Sequence, residues 1–267
     1  MIGLFLGDTD FSEIVLKKVE KLKIKHFIID FSKDNKFKKK NNSYRISIGR
    51  FGKIIDLIKK KKSKKVLFAG KITKPKFSTL RLDLKGIYYM PSVIKASKKG
   101  DAAIIKAIIN ILHREKIKVV SSNFFNPELS QKAGNYTKLK PNKIDLQSIK
   151  KGINHFNKLN NLDHIQALIV EDNKVIATEN NKGTKNMISR LKKNSNSILI
   201  KFPKKKQDLR LDLPTIGLHT LKDCKRYGIK GIVLKSKKNI FLDKKKCLSF
   251  ANKNKIFIKI IWKKFLF

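Results

Sequence analysis

Two carboxylates four residues apart, Asp208 and Asp212, stand in a chain that has only 20 Asp and Glu among 267 residues. Arg210 lies between them, Gln207 and Thr215 flank them, Lys201 opens the stretch, and Pro203 and Pro214 bound it. Carboxylate oxygens hold Mg²⁺ and orient water, while guanidinium and ammonium groups neutralise phosphate oxygens. The donor set points to metal-assisted attack of water on an anionic, nucleotide-type substrate. Asp208 and Asp212 are then the catalytic and metal-binding groups, and Lys201, Gln207, Arg210 and Thr215 the substrate contacts. The alternative is a structural salt-bridge network. Against it, so polar a loop after an apolar strand needs a ligand or metal to order it.

Other candidates lie where an apolar run gives way to small residues. Gly7-Asp8-Thr9-Asp10 follows Ile2–Leu6, and Ala69-Gly70-Lys71 follows Val66–Phe68. Loops at the C-terminal ends of strands that open a helix are where open α/β sheets take phosphates. Lys71 could pair a phosphate, with Lys74-Pro75 in the same loop. Asp10 with Glu13 has capping-box spacing. Gly100-Asp101 reads as simple capping. Gly183-Thr184 could hold an anion through backbone N–H and hydroxyl groups, or merely cap a helix. No GxSxG, P-loop or HExxH pattern occurs, and the five His residues show no ligand spacing.

Elements must position these groups. The first half alternates strand and helix: strands at Ile2–Leu6, His26–Asp30, Val66–Phe68 and Val119–Ser121, helices at Phe11–Leu22, Phe51–Lys62 and Asp101–Lys116. The last of these helices places Ile104, Ile105, Ile108 and Leu112 inward. Asn126–Asn142, with Pro127, Gly134 and Pro141, breaks the rhythm and reads as a linker. Beyond it follow a helix over Leu146–Leu159, strands at Gln166–Val170 and Val175–Glu179 joined at Asp172-Asn173, and a helix near Thr184–Leu191. A strand at Ser197–Phe202 leads into the polar stretch. Helices near Leu221–Tyr227 and Lys244–Asn254 alternate with strands Ile232–Leu234 and Ile256–Ile261. The expected fold class is α/β, with two domains, residues 1–125 and 143–267, each a mainly parallel or mixed sheet with flanking helices.

The net charge is +44. It suggests a polyanion partner, but most of it is evenly spread Lys, which favours a compositional bias over a specific nucleic-acid face. Cys224 and Cys247 make no disulfide framework and read as free thiols in a reducing compartment. The N-terminus lacks a basic n-region and no apolar run has the length of a membrane span, so a cytoplasmic protein is expected. Trp262–Phe267 interleaves aromatic and aliphatic residues with Lys, a pattern that suits an interfacial tail.

Together these segments resemble the LpxI-type UDP-2,3-diacylglucosamine pyrophosphatases of lipid A synthesis, essentially end to end. Lys201 to Gly217 reproduces Lys-x-Pro-x-x-x-Gln-Asp-x-Arg-x-Asp-x-Pro-Thr-Ile-Gly. Phe68 to Pro75, Gly100-Asp101, and Gly183, Thr184 and Met187 look like further family motifs. The resemblance implies two α/β domains acting on a lipid-linked UDP-sugar. It implies Mg²⁺-dependent hydrolysis to UMP and 2,3-diacylglucosamine 1-phosphate, with peripheral contact at the anionic inner-membrane surface. It places substrate contacts at Gly7, Asp8, Ala69, Gly70, Lys71, Gly183 and Thr184 as well as in the carboxylate stretch. The chain departs from the family at Asp8-Thr9-Asp10, where a glycine run is usual, at Lys182 and Lys185, where acidic residues are usual, and at Ala102 in place of an Asp. The rival readings are a non-catalytic binder of the same nucleotide and a basic nucleic-acid-binding protein, which no RNA- or DNA-binding motif supports.

Overall fold

The computed structural model describes residues 1–73, 75–121, 125–159, 165–180, 182–192, 196–203 and 213–262, with backbone alone at 101 and 102. The chain divides into two compact units, Met1–Pro127 and Glu128–Phe267.

The first unit runs β1 (Ile2–Leu6), α1 (Asp10–Lys21), β2 (His26–Asp30), β3 (Ser43–Tyr44), α2 (Phe51–Lys60), β4 (Lys65–Ala69), α3 (Leu84–Ser97), α4 (Asp101–Arg114) and β5 (Lys118–Val120). The strands form one parallel sheet in the order β3-β2-β1-β4-β5. All five residues of β1 are buried, which accounts for its unbroken apolar run: a parallel sheet covered on both faces has no polar side. Val15, Leu16 and Val19 of α1 close one face over Leu4, Leu6 and Leu67. The chain lays down β1, β2 and β3 in one direction, then returns to add β4 and β5 on the other side of β1. That reversal is a switch point at the C-terminal ends of β1 and β4, the place where open α/β sheets bind ligands.

Local details differ from the sequence expectations. Asp10 and Glu13 do not form a capping box: the N-cap of α1 is Thr9, without a side-chain cap bond, and Glu13 instead pairs with Lys36 at 2.7 Å. Both acids still lie in the first turn, where the helix dipole favours them. In α4 the fully buried residues are Ile109, Ile111 and Leu112, while Ile104, Ile105 and Ile108 are half-buried. The helix packs on α3 as well as along β5, which turns its buried stripe. The helix α3 itself is not among the expected elements. Asp83 caps it and also α2: its Oδ1 accepts from the N–H of Gly86 at 2.8 Å and of Gly52 at 3.0 Å, and its Oδ2 from that of Lys53 at 3.0 Å. Burial alone would raise this carboxyl, but the three N–H donors outweigh it and the pKa falls.

The second unit runs β6 (Gly134–Asn135), α5 (Lys143–Lys158), β7 (Ala167–Glu171), β8 (Lys174–Thr178), α6 (Gly183–Ile188), β9 (Ser197–Lys201), β10 (Thr215–Ile216), α7 (Leu218–Arg226), β11 (Ile229–Lys235), β12 (Ile240–Phe241), α8 (Lys244–Lys253) and β13 (Phe257–Ile261). Its main sheet has the order β6-β13-β11-β9-β7-β8. The strands β9, β11 and β13 are parallel, and β6, β7 and β8 are antiparallel to their partners. The hairpin between β7 and β8 turns through Asp172 and Asn173, both left-handed at φ 44° and 64°, as a two-residue hairpin loop requires. Ile149, Ile153 and Phe156 of α5 cover one face of the sheet. Leu221, Cys224 and Cys247 of α7 and α8 cover the other.

The stretch expected to be a linker, Asn126–Asn142, is largely built into this unit. Gly134 and Asn135 pair with Ile260 and Lys259, Thr137 Oγ1 accepts from the Ile258 N–H at 2.8 Å, and Gln131 is buried. The open edge of β13 has N–H and C=O groups to satisfy, and this apparently patternless segment satisfies them.

Candidate functional site

In the first unit the adjacency of β1 and β4 brings two loops that are distant in sequence into contact. The Gly7 N–H donates to Ala69 O at 2.9 Å and the Asp8 N–H to Lys71 O at 2.9 Å. The Ser12 hydroxyl, on the buried face of α1, reaches both Gly7 O and Ala69 O at 2.8 Å. The approach is too close for side chains. A Cβ on Gly7 would lie 2.2 Å from Lys71 O, and one on Gly70 would lie 2.1 Å from Ser12 Oγ. Gly70 also has φ 83°, in the region that favours glycine. The structure therefore unites Gly7, Asp8, Ala69, Gly70 and Lys71 at the switch point of the sheet. The Asp8 carboxylate braces the neighbouring loops: Oδ1 accepts from the Lys33 N–H at 2.7 Å and Oδ2 from the Thr73 hydroxyl at 3.4 Å. The Lys71 side chain is exposed beside these loops.

The second unit gathers Gly183, Thr184 and Lys201 at one end of its sheet, where β8 and β9 finish. Glu179, buried directly after β8, organises that end. Its Oε1 accepts from the Thr184 hydroxyl at 2.6 Å and its Oε2 from the Gln166 N–H at 2.8 Å. Ala167 pairs in register with Lys201, and the Phe202 N–H donates to Gln166 O at 3.0 Å. Gly183 has φ 84°, and its N–H closes a turn on Asn180 O at 2.9 Å. The backbone N–H of Gly183 is thus engaged within the turn.

Both ends of the carboxylate stretch are fastened. Lys201 Nζ donates to Thr215 O at 3.2 Å, the Thr215 hydroxyl to Leu213 O at 3.0 Å, and β10 pairs with β12. Phe202, Pro203, Leu213 and Pro214 are buried. Gln207, Asp208, Arg210 and Asp212 lie outside the described residues, as does Lys74, and no side chain is described for Asp101. Trp262 is exposed with the Lys237 ammonium 5.6 Å from its ring centre, and 263–267 also lie outside the described residues.

Two residues that matter to these arrangements escape sequence reasoning. Ser12 is a polar residue on the inward stripe of α1 with Val15, Leu16 and Val19, and that misfit is its signal. Glu179 is one of few carboxylates, close before Gly183-Thr184. Its acidity stands where Lys182 and Lys185 replace the acidic neighbours expected there.

Among the described residues no group of three or more His, Cys, Asp or Glu could hold a metal. Asp208 and Asp212 are hard oxygen donors of the kind Mg²⁺ prefers, so the donor chemistry fits that ion. Cys224 and Cys247 are free and buried. Burial pushes both thiols up, that of Cys247 to about 11, which unsuits them as nucleophiles.

Comparison with known proteins assigns both units. Residues 1–129 match the LpxI N-terminal domain and residues 132–259 the LpxI C-terminal domain. The chain is similar to the UDP-2,3-diacylglucosamine pyrophosphatase LpxI of Caulobacter vibrioides, at 29% identity over 223 residues that cover 80% of each chain.

Proposed function

This chain belongs to the LpxI family in both of its units, and on that premise we propose that it hydrolyses the pyrophosphate of UDP-2,3-diacylglucosamine to UMP and 2,3-diacylglucosamine 1-phosphate in lipid A biosynthesis. Water adds to one phosphorus, the bridging P–O bond breaks, and the displaced phosphate leaves. The observation that carries the reading is the family match over residues 1–129 and 132–259 together with an intact Gln207-Asp208-x-Arg210-x-Asp212 stretch.

The chain's own groups divide the work. The close contact that Gly7 and Gly70 permit fixes the loops after β1 and β4 against each other, and the exposed Lys71 beside them would pair an anionic group of the ligand. Asp208 and Asp212 would hold Mg²⁺ and orient the attacking water, and Arg210 and Lys201 would offset charge on phosphate oxygens. When bound, Mg²⁺ would supply Lewis-acid stabilisation of that charge. Glu179 fixes the Thr184 hydroxyl, and the Lys201–Thr215 bond fixes the base of the carboxylate stretch. No helix among the described residues is long and apolar enough to cross a membrane. A lipid-linked substrate would therefore be reached by peripheral contact with the anionic inner-membrane surface.

The test is UMP release from UDP-2,3-diacylglucosamine dispersed in detergent, with Mg²⁺ and with EDTA. Release that EDTA abolishes supports both parts of the reading. Release undiminished by EDTA removes the metal, and no release with any divalent metal removes the hydrolase.

A further inference from the structure

The helix α3 carries two apolar stripes where a helix at a domain surface needs one. Gly86, Tyr89, Met90 and Val93 form the buried stripe. Leu84, Ile87, Tyr88, Pro91 and Ile94 repeat the same spacing on the opposite side, and it faces out. Leu84 is 86% exposed, Tyr88 71% and Ile87 59%. Tyr88 meets the Tyr89 ring edge-on at 4.9 Å between centres, yet three large apolar residues this exposed within two turns of one helix form a continuous patch, whereas scattered exposed apolar residues need no explanation.

The patch is held rigid from behind. Asp83 caps the helix, and a Cβ on Gly86 would lie 2.2 Å from Gly49 O, so α3 is pressed against the segment before α2. Glu115 then pins it: Lys85 Nζ lies 2.8 Å from one of its oxygens, and the Tyr89 hydroxyl donates to it at 3.0 Å.

Charge decides what such a face would meet. Asp83 is the only acidic residue between Lys71 and Gly100, and its oxygens are taken by backbone N–H groups. Arg81, Lys95, Lys98 and Lys99 rim the helix and are exposed. A second copy of this chain laid on the patch would oppose these cations to their own kind. An anionic bilayer would neutralise them while accepting the apolar side chains, with Tyr88 at the headgroup level where its hydroxyl stays wet.

We infer that the outward face of α3 docks the protein on an anionic lipid bilayer, Leu84, Ile87 and Tyr88 entering the headgroup–acyl boundary and the lysine rim lying against the phosphates. The inference rests on the hydrolase reading only in that a lipid-linked substrate gives the contact a purpose.

The test is co-sedimentation of the full-length protein with extruded vesicles of phosphatidylcholine, with and without phosphatidylglycerol, over a salt series. Binding is expected to need phosphatidylglycerol and to weaken with salt. Leu84→Gln/Ile87→Gln/Tyr88→Gln keeps the charge and a helix-forming residue at each position, and should lower the partition coefficient at least about tenfold. A Tyr88→Trp variant in a Trp262→Phe background gives a second readout, free of concern for folding of the triple variant: its emission should shift to the blue and be quenched by brominated lipid. Three results would overturn the inference: no sedimentation of the unmodified protein with anionic vesicles at low salt, equal binding by the glutamine variant, or indole emission from the Tyr88→Trp variant that brominated lipid leaves unquenched. Loss of self-association in the glutamine variant without loss of vesicle binding would assign the face to a second copy instead. UMP release from detergent-dispersed substrate, measured in parallel, should be unchanged in the glutamine variant. Failure of vesicle binding with release intact removes only the docking, and absence of release with binding intact removes only the hydrolase.

Discussion

A methyl group placed on Gly7 would sit 2.2 Å from the main-chain oxygen of Lys71, so the loops after β1 and β4 meet only because residue 7 has no side chain. The Asp8 N–H to Lys71 O bond, 2.9 Å long, is the reason the contact is so close. Gly7→Ala must push the two loops apart, at a cost of about 1–3 kcal/mol. A displacement near 1 Å at a substrate-positioning loop is worth on the order of a hundredfold in turnover. Thermal melting and steady-state UMP release check both. Normal turnover in a folded Gly7→Ala protein would show that this pair of loops does not position the substrate.

Ser12 is expected to matter through the same loops. Ser12→Ala removes the hydroxyl that the carbonyl oxygens of Gly7 and Ala69 share; Ala69 O keeps the Gly7 N–H, so the loss is that of a buried hydrogen bond, about 0.5–1.5 kcal/mol. Denaturant unfolding measures it, and an unchanged midpoint would mean that water replaces the hydroxyl.

Thr184 and Glu179 give a graded test of the second unit. Thr184→Val keeps the shape but removes the donor 2.6 Å from Glu179 Oε1, which should raise KM or lower kcat and cost about 1–2 kcal/mol of stability. Thr184→Ser should restore both. If valine and serine behave alike, the hydroxyl plays no part in ordering the turn.

Glu115 predicts an acid limb of stability. Burial would raise its carboxyl, but hydrogen bonds from Lys59, Lys85 and Tyr89 outweigh that and lower it from its ordinary 4.5 to about 2. A depressed carboxyl contributes stability that is complete above the unfolded-state pKa and is lost as pH falls through the folded one. The contribution should therefore fade between about pH 4.5 and 2, and Glu115→Gln should be less stable at neutral pH with a shallower decline across that window. Equal pH profiles for the two proteins would contradict the assignment.

Much of this architecture can be read from residue order alone, and the exceptions have physical causes. The unbroken apolar runs of β1, β2 and β9 announce strands buried on both faces. The left-handed pair Asp172-Asn173 announces its hairpin. The helix α3 escapes such a reading because two apolar stripes and an internal Pro91 blur the helical period that one stripe would give. The two-residue strands β6, β10 and β12 owe their existence to partners at the sheet edges rather than to their own propensity. In the candidate site, Gly7 and Gly70 each stand out after a strand, but their contact depends on β4 lying beside β1, a property of strand order that no local pattern contains. Glu179 reads as the end of a strand because its partners arrive only once the edge of the sheet is built.

The ends of the carboxylate stretch are fixed by the Lys201–Thr215 bond, and the proposed hydrolysis assigns its chemistry to Asp208 and Asp212. The direct measurement is the turnover number for UMP release by Asp212→Ala beside the unaltered protein, with Mg²⁺ and saturating UDP-2,3-diacylglucosamine. Loss of at least about two orders of magnitude, with substrate still bound and the melting temperature retained, is the predicted result. Near-normal turnover in that variant would contradict it and place the chemistry elsewhere in the chain.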